Sequence, residues 1–265
     1  MRLMIDEVRW KIYKLLLHIR PTILIDLLKR ILPIHRIIVE TREGRFWIDP
    51  ISNMGLGIKE DIFEVETRTL IKQHLMVGNI FIDVGANEGF YSMIAAKKVS
   101  STGRIIAIEP QQRLISVLEK NQTLNNLENI TIVNAAVSDG KTSELEIYLS
   151  PSTNTGSSSI TRRYFVARKQ KVVSKTLEAI FSECNIATAH FVKIDVEGFE
   201  PEVIYGAEKL LADHRIHHLF VDFHHSILQE RGINPETLHN FITSFDYNLV
   251  NEPFQPSGYN LYISK

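Results

Sequence analysis

Apolar positions along the chain follow two patterns that alternate through most of its length. Continuous apolar runs, typical of strands buried on both faces, occur at Ile80–Val84, Arg104–Ile108 and Ile130–Val133. Helical spacing of apolar residues separates these runs, at Phe90–Val99 and Gln111–Asn125. Strands that alternate with helices are typical of a parallel sheet covered by helices. The sequence therefore predicts an α/β fold with a mostly parallel central sheet.

After Asp139 the alternation weakens and then returns. The predicted strands of this part are Glu144–Leu149, His190–Asp195, Leu219–Phe223, Tyr247–Val250 and Asn260–Ile263, and the predicted helices are Lys175–Cys184, Pro201–Leu211 and Pro235–Ser244. The Ser- and Thr-rich stretch Pro151–Arg163, which ends in Arg162 and Arg163, is interpreted either as a lid over a polar ligand or as a solvated loop.

The first third of the chain precedes this pattern. Pro21 separates two amphipathic helical stretches, Met4–Ile19 and Thr22–Leu32. We favour a packing or dimerisation arm for them, which would make a homodimer. The alternative is an anchor on a membrane surface, built on Arg9, Lys11, Lys14 and Arg20.

Between this arm and the sheet, a Glu43-Gly44 turn joins two short extended segments. Ile37–Glu40 and Arg45–Ile48 are predicted to form a hairpin, and Asp61–His74 has helical spacing. We therefore divide the chain into an N-terminal helical and hairpin extension, residues 1–77, and a Rossmann-like domain, residues 78–265.

Composition limits the classes of partner. The 265 residues are 44% hydrophobic, and 30 basic against 31 acidic residues give a formal net charge of -1. This balance lacks the footprint of a general nucleic-acid binder and favours a small-molecule partner. The single cysteine, Cys184, excludes an intramolecular disulfide, so we expect a cytoplasmic protein. Charges and Pro21 interrupt the apolar N-terminus, so neither a spanning helix nor a secretory signal is expected.

The turn after the first predicted strand is the candidate ligand loop. In open parallel sheets ligands bind at the carboxyl ends of the strands, and Asp83, Gly85, Asn87 and Gly89 belong to this turn. The two glycines permit a tight turn and close approach to a ligand. Because Asn87 replaces the middle glycine of G-x-G-x-x-G and the loop lacks a P-loop lysine, dinucleotide binding is disfavoured.

Two acidic residues could complete a nucleoside site. Glu109 ends the second predicted strand, where a carboxylate can accept hydrogen bonds from both hydroxyls of a ribose. Asp139 follows the third strand and could accept from the amine of an adenine. It could equally form a turn with Gly140, since Asp-Gly is a common turn sequence.

With these residues in place, the chain resembles the FkbM family of methyltransferases. The resemblance rests on Ile82–Ser92, Glu109-Pro110, Asn121 and Asn125, Val192–Glu200, Gly206-Ala207 and Asp222–His224. It extends from Gly78 to the end of the chain and implies a class I methyltransferase fold, S-adenosylmethionine as methyl donor, and usually O-methylation of a small-molecule or carbohydrate acceptor. Asp222 departs from the family, in which a Glu is expected; an Asp keeps the charge but has a shorter reach.

Methyl transfer to oxygen needs aligned substrates and removal of the acceptor proton. The candidate catalytic residues follow the fourth and fifth strands: Asp195, Asp222 and His224, with Glu197 and His225 as candidate substrate-binding residues. His224 is the preferred general base because imidazole titrates near neutral pH. The three catalytic candidates could instead hold Mg²⁺ or Mn²⁺. Lys193 is interpreted as a structural ion-pair partner.

Three other functions remain open. N-methylation would use the same site. An oxidoreductase that binds NAD or a nucleotide sugar could also use Glu109 for its ribose, although the missing loop glycine argues against it. A protein that binds a nucleoside without turnover, attached to a membrane or to a second copy, would use Met1–Leu32.

Overall fold

The computed structural model describes residues 10–19, 24, 28–29, 31–32, 34–151, 155–156, 158 and 168–265. The strands, in chain order, are β1 (Ile37–Thr41), β2 (Gly44–Ile48), β3 (Ile80–Val84), β4 (Arg104–Ile108), β5 (Ile130–Val133), β6 (Ala136–Val137), β7 (Glu144–Leu149), β8 (Arg168–Lys175), β9 (Ala189–Ile194), β10 (Ile216–Phe223), β11 (Tyr247–Leu249) and β12 (Gly258–Ser264). The helices after residue 50 are α1 (Asn53–Lys59), α2 (Val65–His74), α3 (Phe90–Val99), α4 (Gln112–Leu124), α5 (Leu177–Glu183), α6 (Glu200–Tyr205), α7 (Glu208–Ala212), α8 (His225–Glu230) and α9 (Pro235–Thr243).

Seven strands form the central sheet in the order β11-β12-β10-β9-β3-β4-β5. The pairs from β10 to β5 are parallel, whereas β12 runs antiparallel to both β10 and β11. One hydrophobic core packs α5, α6, α7 and α9 on one face, and a second core packs α2, α3 and α4 on the other. The predicted α/β fold is confirmed. The chain order reverses between β3 and β9, which opens a crevice at the carboxyl ends of these strands.

Some predicted boundaries were wrong. The helix predicted from Asp61 begins at Val65, because the backbone of Glu64 is left-handed (φ 39°). The helix predicted over Pro201–Leu211 is two helices, α6 and α7, on either side of Gly206. The polar strand β8, which pairs with β6 and β7 in a separate three-stranded sheet, was not predicted; neither were α1 and α8.

The β1–β2 hairpin packs on the domain that the sequence assigned to residues 78–265. Phe46 lies in the same hydrophobic core as Phe90, with ring centroids 5.1 Å apart. Two asparagines of the resemblance tie the hairpin to α4: Trp47 N donates to Asn121 Oδ1 over 2.7 Å, and Asn125 Nδ2 donates to the Arg45 carbonyl over 2.7 Å. The hairpin and the sheet therefore share one core.

Of the N-terminal arm, residues 10–16 are helical, as are the described residues 24, 28–29 and 31. Arg9, Arg20 and the lid candidates Arg162 and Arg163 lie outside the described residues. Among the helices that the structure describes, none combines the length and the apolar character needed to cross a membrane.

Candidate active site

A cavity of about 240 Å³ opens at the carboxyl ends of β3, β4, β9 and β10. Its wall brings together Gly85, Asn87, Glu109, Asp195, Glu197, Asp222 and His224 from the sequence-predicted set. Asp83, Gly89, Asp139 and His225 are not part of the wall. Segments before β3 also contribute, with Ser52, Asn53, Met54, Phe63 and Glu64, and so do Thr155, Gly156 and Ser158 of the Ser- and Thr-rich loop.

The loop after β3 needs glycine for two different reasons. Gly85 has a left-handed backbone (φ +83°), and a Cβ there would lie 2.0 Å from the carbonyl oxygen of Asp195. The loop is thereby pressed against the end of β9. Gly89 (φ +81°) instead begins α3, and a Cβ there would lie 2.3 Å from Leu118 Cδ2. Gly89 thus serves packing beneath the cavity and is not part of its wall, and its role in cofactor contact stays a prediction.

Glu109 is held by backbone groups on both sides of the crevice. Asn87 N donates to its Oε2 over 2.7 Å, and Gln111 N donates to its Oε1 over 2.8 Å. The residue is only 2% exposed. Burial raises the pKa of Glu109 to about 7, although the hydrogen bonds from Gln111 and Asn87 act in the opposite direction. The carboxylate is therefore fixed in position and titrates near neutral pH.

Asp83 lies beneath the cavity, not in it. It is fully buried; its Oδ2 accepts a hydrogen bond from Ser92 Oγ over 2.7 Å, and its Oδ1 lies 3.7 Å from Lys193 Nζ. The Asp83 side chain points from β3 into the packed layer below the loop, and its direct contact with a cofactor stays a prediction. Its contacts connect β3 to α3 and to β9.

Asp139 stands in a surface turn. Its Oδ1 accepts from Lys141 N over 3.2 Å, and its Oδ2 lies 2.6 Å from Lys141 Nζ. The structure has the alternative, a turn-forming Asp-Gly outside the cavity wall, and the adenine contact stays a prediction. In the cavity wall this part of the chain contributes Ala135, Ala136 and Val137, whose apolar surface suits the face of an aromatic ring.

The ends of β9 and β10 carry a charged network. Lys193 Nζ lies 3.0 Å from Asp195 Oδ2. His224 Nδ1 lies 2.8 Å from Glu200 Oε1, and its Nε2 faces Glu197 Oε2 at 3.7 Å and Asp195 Oδ1 at 3.8 Å. The imidazole is thus surrounded by three carboxylates, one of which, that of Glu200, is fully buried.

These contacts set three pKa values. Burial alone would lower the pKa of His224, but the hydrogen bond and charge of Glu200, together with Glu197 and Asp195, raise it to about 10. Burial and the charge of Asp195 raise the pKa of Asp222 to about 6. For Asp195 the charges of Lys193 and His224 outweigh burial and lower the pKa. His224 is therefore an imidazolium at neutral pH, which argues against its sequence-based role as the general base.

His225 does not reach the cavity. It begins α8, and its Nδ1 is buried without a hydrogen-bond partner among the described residues. The chain turns into a helix immediately after His224, which carries His225 away from the cavity wall, and substrate binding by His225 stays a prediction.

Sequence reasoning did not place Glu64, Tyr91, Lys193 or Glu200 in the site. Tyr91 Oη donates to Glu64 Oε2, and Lys193 Nζ lies 5.1 Å from the centroid of the Tyr91 ring. Lys193 is an ion-pair partner as predicted, yet it also lines the cavity. Alternation along β9 places residues 193 and 195 on the same side, which was the available signal for Lys193. No sequence signal marks Glu64, since it lies on a separate segment.

Asp195, Asp222 and His224 present ligand atoms that all lie within 4.8 Å of one another. Lys193 already pairs with Asp195 over 3.0 Å, so a metal ion would compete with this ammonium group for the carboxylate. We derive no chemical step through a metal, and a Mg²⁺ or Mn²⁺ site stays a prediction.

Comparisons with known proteins place the chain in a family. The profile of the methyltransferase FkbM domain matches residues 83–249. Among solved structures, a methyltransferase FkbM of Methylobacillus flagellatus is 19% identical, with 71% of this chain and 44% of that chain covered and a TM-score of 0.46. The match therefore spans less than half of that longer protein.

Two other solved structures cover most of both chains. A precorrin-6y C5,15-methyltransferase of Geobacter metallireducens is 12% identical over 77% of this chain and 91% of that chain, with a TM-score of 0.45. A SAM dependent methyltransferase of Aquifex aeolicus is 14% identical over 76% of this chain and 88% of that chain, with a TM-score of 0.42. The comparison with curated proteins finds no match. Because the family profile spans well over half of the sequence, the chain belongs to the FkbM methyltransferase family.

Proposed function

We propose that the protein is an S-adenosylmethionine-dependent methyltransferase that methylates a hydroxyl oxygen of a small-molecule or sugar acceptor. The observation that carries this proposal is the position of Glu109. Two backbone amides hold its carboxylate at the end of β4, at the edge of the cavity where a ribose is bound in sheets of this type. Membership of the family supports methyl transfer as the reaction.

The charges of the wall also support a cationic methyl donor. S-adenosylmethionine supplies an electrophilic methyl group on a sulfonium ion. Two cationic residues of the wall, Lys193 and His224, face five carboxylate residues, which are Glu64, Glu109, Asp195, Glu197 and Asp222. This excess of negative charge attracts a sulfonium and disfavours an anionic acceptor. A neutral polyhydroxylated acceptor is therefore the best match.

Asp222 is the residue best suited to take the acceptor proton. Its raised pKa, about 6, leaves it ionised at neutral pH but makes it a stronger base than Asp195, whose pKa is lowered by Lys193. A general base works best when its pKa lies close to the operating pH. Lys193 and the His224 imidazolium then hold Asp195 and Glu197 in place, where these can accept hydrogen bonds from the acceptor.

Calorimetric titration tests the donor site. We expect S-adenosylmethionine, and not NAD, to bind the wild type. Glu109→Gln should weaken that binding by roughly 10- to 100-fold, since hydrogen bonds to a charged group contribute about 1.5–3 kcal/mol. Asp139→Asn is the matched control, because Asp139 lies outside the cavity, and it should bind like the wild type. Binding of NAD, or equal affinities for all three proteins, would contradict the proposal.

A further inference from the structure

The N-terminal part of the chain has a charge opposite to that of the rest. Residues 1–36 contain eight Lys and Arg but only three Asp and Glu, which leaves 22 basic and 28 acidic residues for positions 37–265. Although the net charge of the whole chain is close to zero, residues 1–36 are basic and residues 37–265, the body, are acidic. Lys29 and Arg36 of this segment pair with Asp49 and Glu88 of the body. The positive charge that remains is typical of a segment that contacts an anionic partner.

The helical residues 10–16 have two distinct faces. On the inner face, Trp10 and Tyr13 pack around Ile51, together with Leu16 and Leu17. The outer face presents side chains spaced for one side of a helix, and these are Lys11, Ile12, Lys14, Leu15 and His18. All five are exposed, and Lys14 also pairs with Glu60. The inner contacts account for folding, but they leave the outer apolar side chains uncovered.

Exposed apolar surface is concentrated in this segment. Leu15 is 72% exposed and Ile31 is 71% exposed. Of the thirteen large apolar residues that are exposed in the described part of the chain, five lie between positions 10 and 32. Scattered exposed apolar residues are ordinary, whereas a cluster interleaved with basic residues is typical of a helix that lies in a membrane interface.

We propose that an anionic lipid surface binds the exposed face of residues 10–18, which carries Lys11, Ile12, Lys14, Leu15 and His18, together with the exposed Leu24, Ile31 and Leu32. The apolar side chains would enter the boundary between headgroups and acyl chains, and the basic side chains would pair with lipid phosphates. A second copy of the chain is a poorer occupant, because a symmetric interface would place this basic face against itself. This choice reverses the preference for a dimerisation arm that the sequence pattern favoured.

Docking by this face would also place the cavity near the lipid surface. The inner face packs on Ile51, and the next three residues of the chain, Ser52, Asn53 and Met54, line the cavity. An acceptor held in or near the membrane would then be presented to the site. This last step rests on the proposed function, whereas lipid binding itself does not.

Sedimentation of the full chain with vesicles tests lipid binding directly. The probes are vesicles of phosphatidylcholine alone and vesicles that contain about 30 mol% phosphatidylglycerol. We expect binding to the second kind only, and a loss of binding when NaCl is raised from about 0.1 M to about 0.5 M, because salt screens the basic residues. Ile12→Ser/Leu15→Ser should weaken binding at least roughly tenfold, since it removes the two exposed apolar residues of the helix.

The matched control is Met76→Ser/Val77→Ser, which removes two equally exposed apolar residues elsewhere and should bind like the wild type. Absence of binding to anionic vesicles, or equal binding by all variants, would overturn the proposal. A protein that does not bind vesicles, but forms a dimer in light scattering that the Ile12→Ser/Leu15→Ser substitutions dissociate, would also overturn the proposal. Titration of each variant with S-adenosylmethionine separates lipid binding from the proposed function. Lipid binding can fail while donor binding is retained, and donor binding can fail while lipid binding is retained.

Discussion

The two halves of the cavity are built in different ways. On the side of β3 and β4, Glu109 is fixed by two backbone amides, those of Asn87 and Gln111. On the side of β9 and β10, Asp195, Glu197 and His224 are fixed by one another's charges. Backbone donors keep their positions whatever the pH, whereas an ionic network changes with every proton that it gains or loses.

This difference predicts a division of labour. Under the proposed function, the backbone-held half suits recognition of the methyl donor, and the ionic half suits proton transfer from the acceptor. Variants on the two sides should therefore fail in different ways: the first should lose donor affinity, and the second should lose turnover. The largest effect is expected on the ionic side.

Asp222→Asn should lower turnover by roughly 10²- to 10⁴-fold, the usual contribution of a general base. Donor affinity should change little, because Asp222 lies on the opposite half of the cavity from Glu109. Transfer of a radiolabelled methyl group to an acceptor found by screening measures the first quantity, and calorimetry measures the second. Asp222→Glu restores the residue that the family resemblance led us to expect, and it should retain more activity than Asp222→Asn.

Dialysis of the wild type against EDTA distinguishes the base from the metal hypothesis. A base keeps its full activity after chelation, whereas a Mg²⁺ or Mn²⁺ site would lose activity and recover it with added metal. Full activity in Asp222→Asn would contradict both roles for this residue.

Gly85→Ala tests the contact between the two halves. The new Cβ would meet the Asp195 carbonyl oxygen at 2.0 Å, and the backbone at φ +83° strains any residue with a Cβ. Overpacking costs roughly 1–3 kcal/mol and a left-handed backbone roughly 1–2 kcal/mol, so the free energy of unfolding should fall by about 2–5 kcal/mol. Urea denaturation measures this change.

Gly232→Ala is the matched control for the backbone term. Gly232 has φ +70°, but a Cβ added there would meet no atom within 4 Å, so only the backbone penalty of roughly 1–2 kcal/mol applies. Equal losses in the two variants would mean that the close approach of Asp195 to the loop does not matter for stability.

The sheet could be predicted because its strands are continuous apolar runs, as in β3 and β4. The small sheet could not, because β8 carries Arg168–Lys175, a polar segment with alternate residues exposed. Its partners β6 and β7 supply the burial, and such long-range pairing leaves no trace in the local pattern. A distant segment also approaches the chain between α6 and α7. A Cβ at Gly206 would lie 2.2 Å from the Ser138 carbonyl oxygen.

The site shows the same contrast. Glu109 and Asn87 were predicted because strand ends and loops of a parallel sheet are set by local sequence. The protonation of His224 was not, because it depends on the buried Glu200 carboxylate, whose position beside the imidazole is set by the fold. Likewise Glu64 reaches the cavity from a segment before β3. Sequence located the chemical groups, but their ionisation depends on neighbours that only folding brings together.

The pH dependence of donor binding follows from Glu109. Its pKa of about 7 means that the carboxyl gains a proton below neutrality, and a protonated carboxyl accepts fewer hydrogen bonds from ribose hydroxyls. Affinity for S-adenosylmethionine should therefore fall as the pH is lowered through 7, by roughly tenfold between pH 8 and pH 6. Calorimetry at both values measures it, and Glu109→Gln should show a flatter profile.

The raised pKa of Glu109 also makes folding stability depend on pH, but stability should rise, not fall, as the pH is lowered. A raised carboxyl pKa in the folded state means that the unliganded fold is favoured by the proton. Its contribution is therefore present at low pH and is lost as the pH rises from about 4.5, the unfolded value, through 7. The difference in unfolding free energy between the wild type and Glu109→Gln, measured at several pH values, isolates the contribution of Glu109, because the other titrating groups are common to both proteins. A difference that grows with pH in favour of the wild type would contradict the assignment.

Asp139→Asn should have the smallest effect, and it decides between two interpretations of the same residue. If Asp139 bound the adenine amine, as one sequence interpretation has it, the loss of its charge would weaken donor binding by about tenfold, the equivalent of one hydrogen bond to a charged group. The structure instead pairs it with the exposed Lys141 in a turn. Exposed ion pairs contribute little to stability, so donor affinity should be unchanged and the free energy of unfolding should fall only slightly. Donor recognition on this side of the cavity then depends on Glu109, together with the apolar surface of Ala135 and Val137, and not on a second carboxylate.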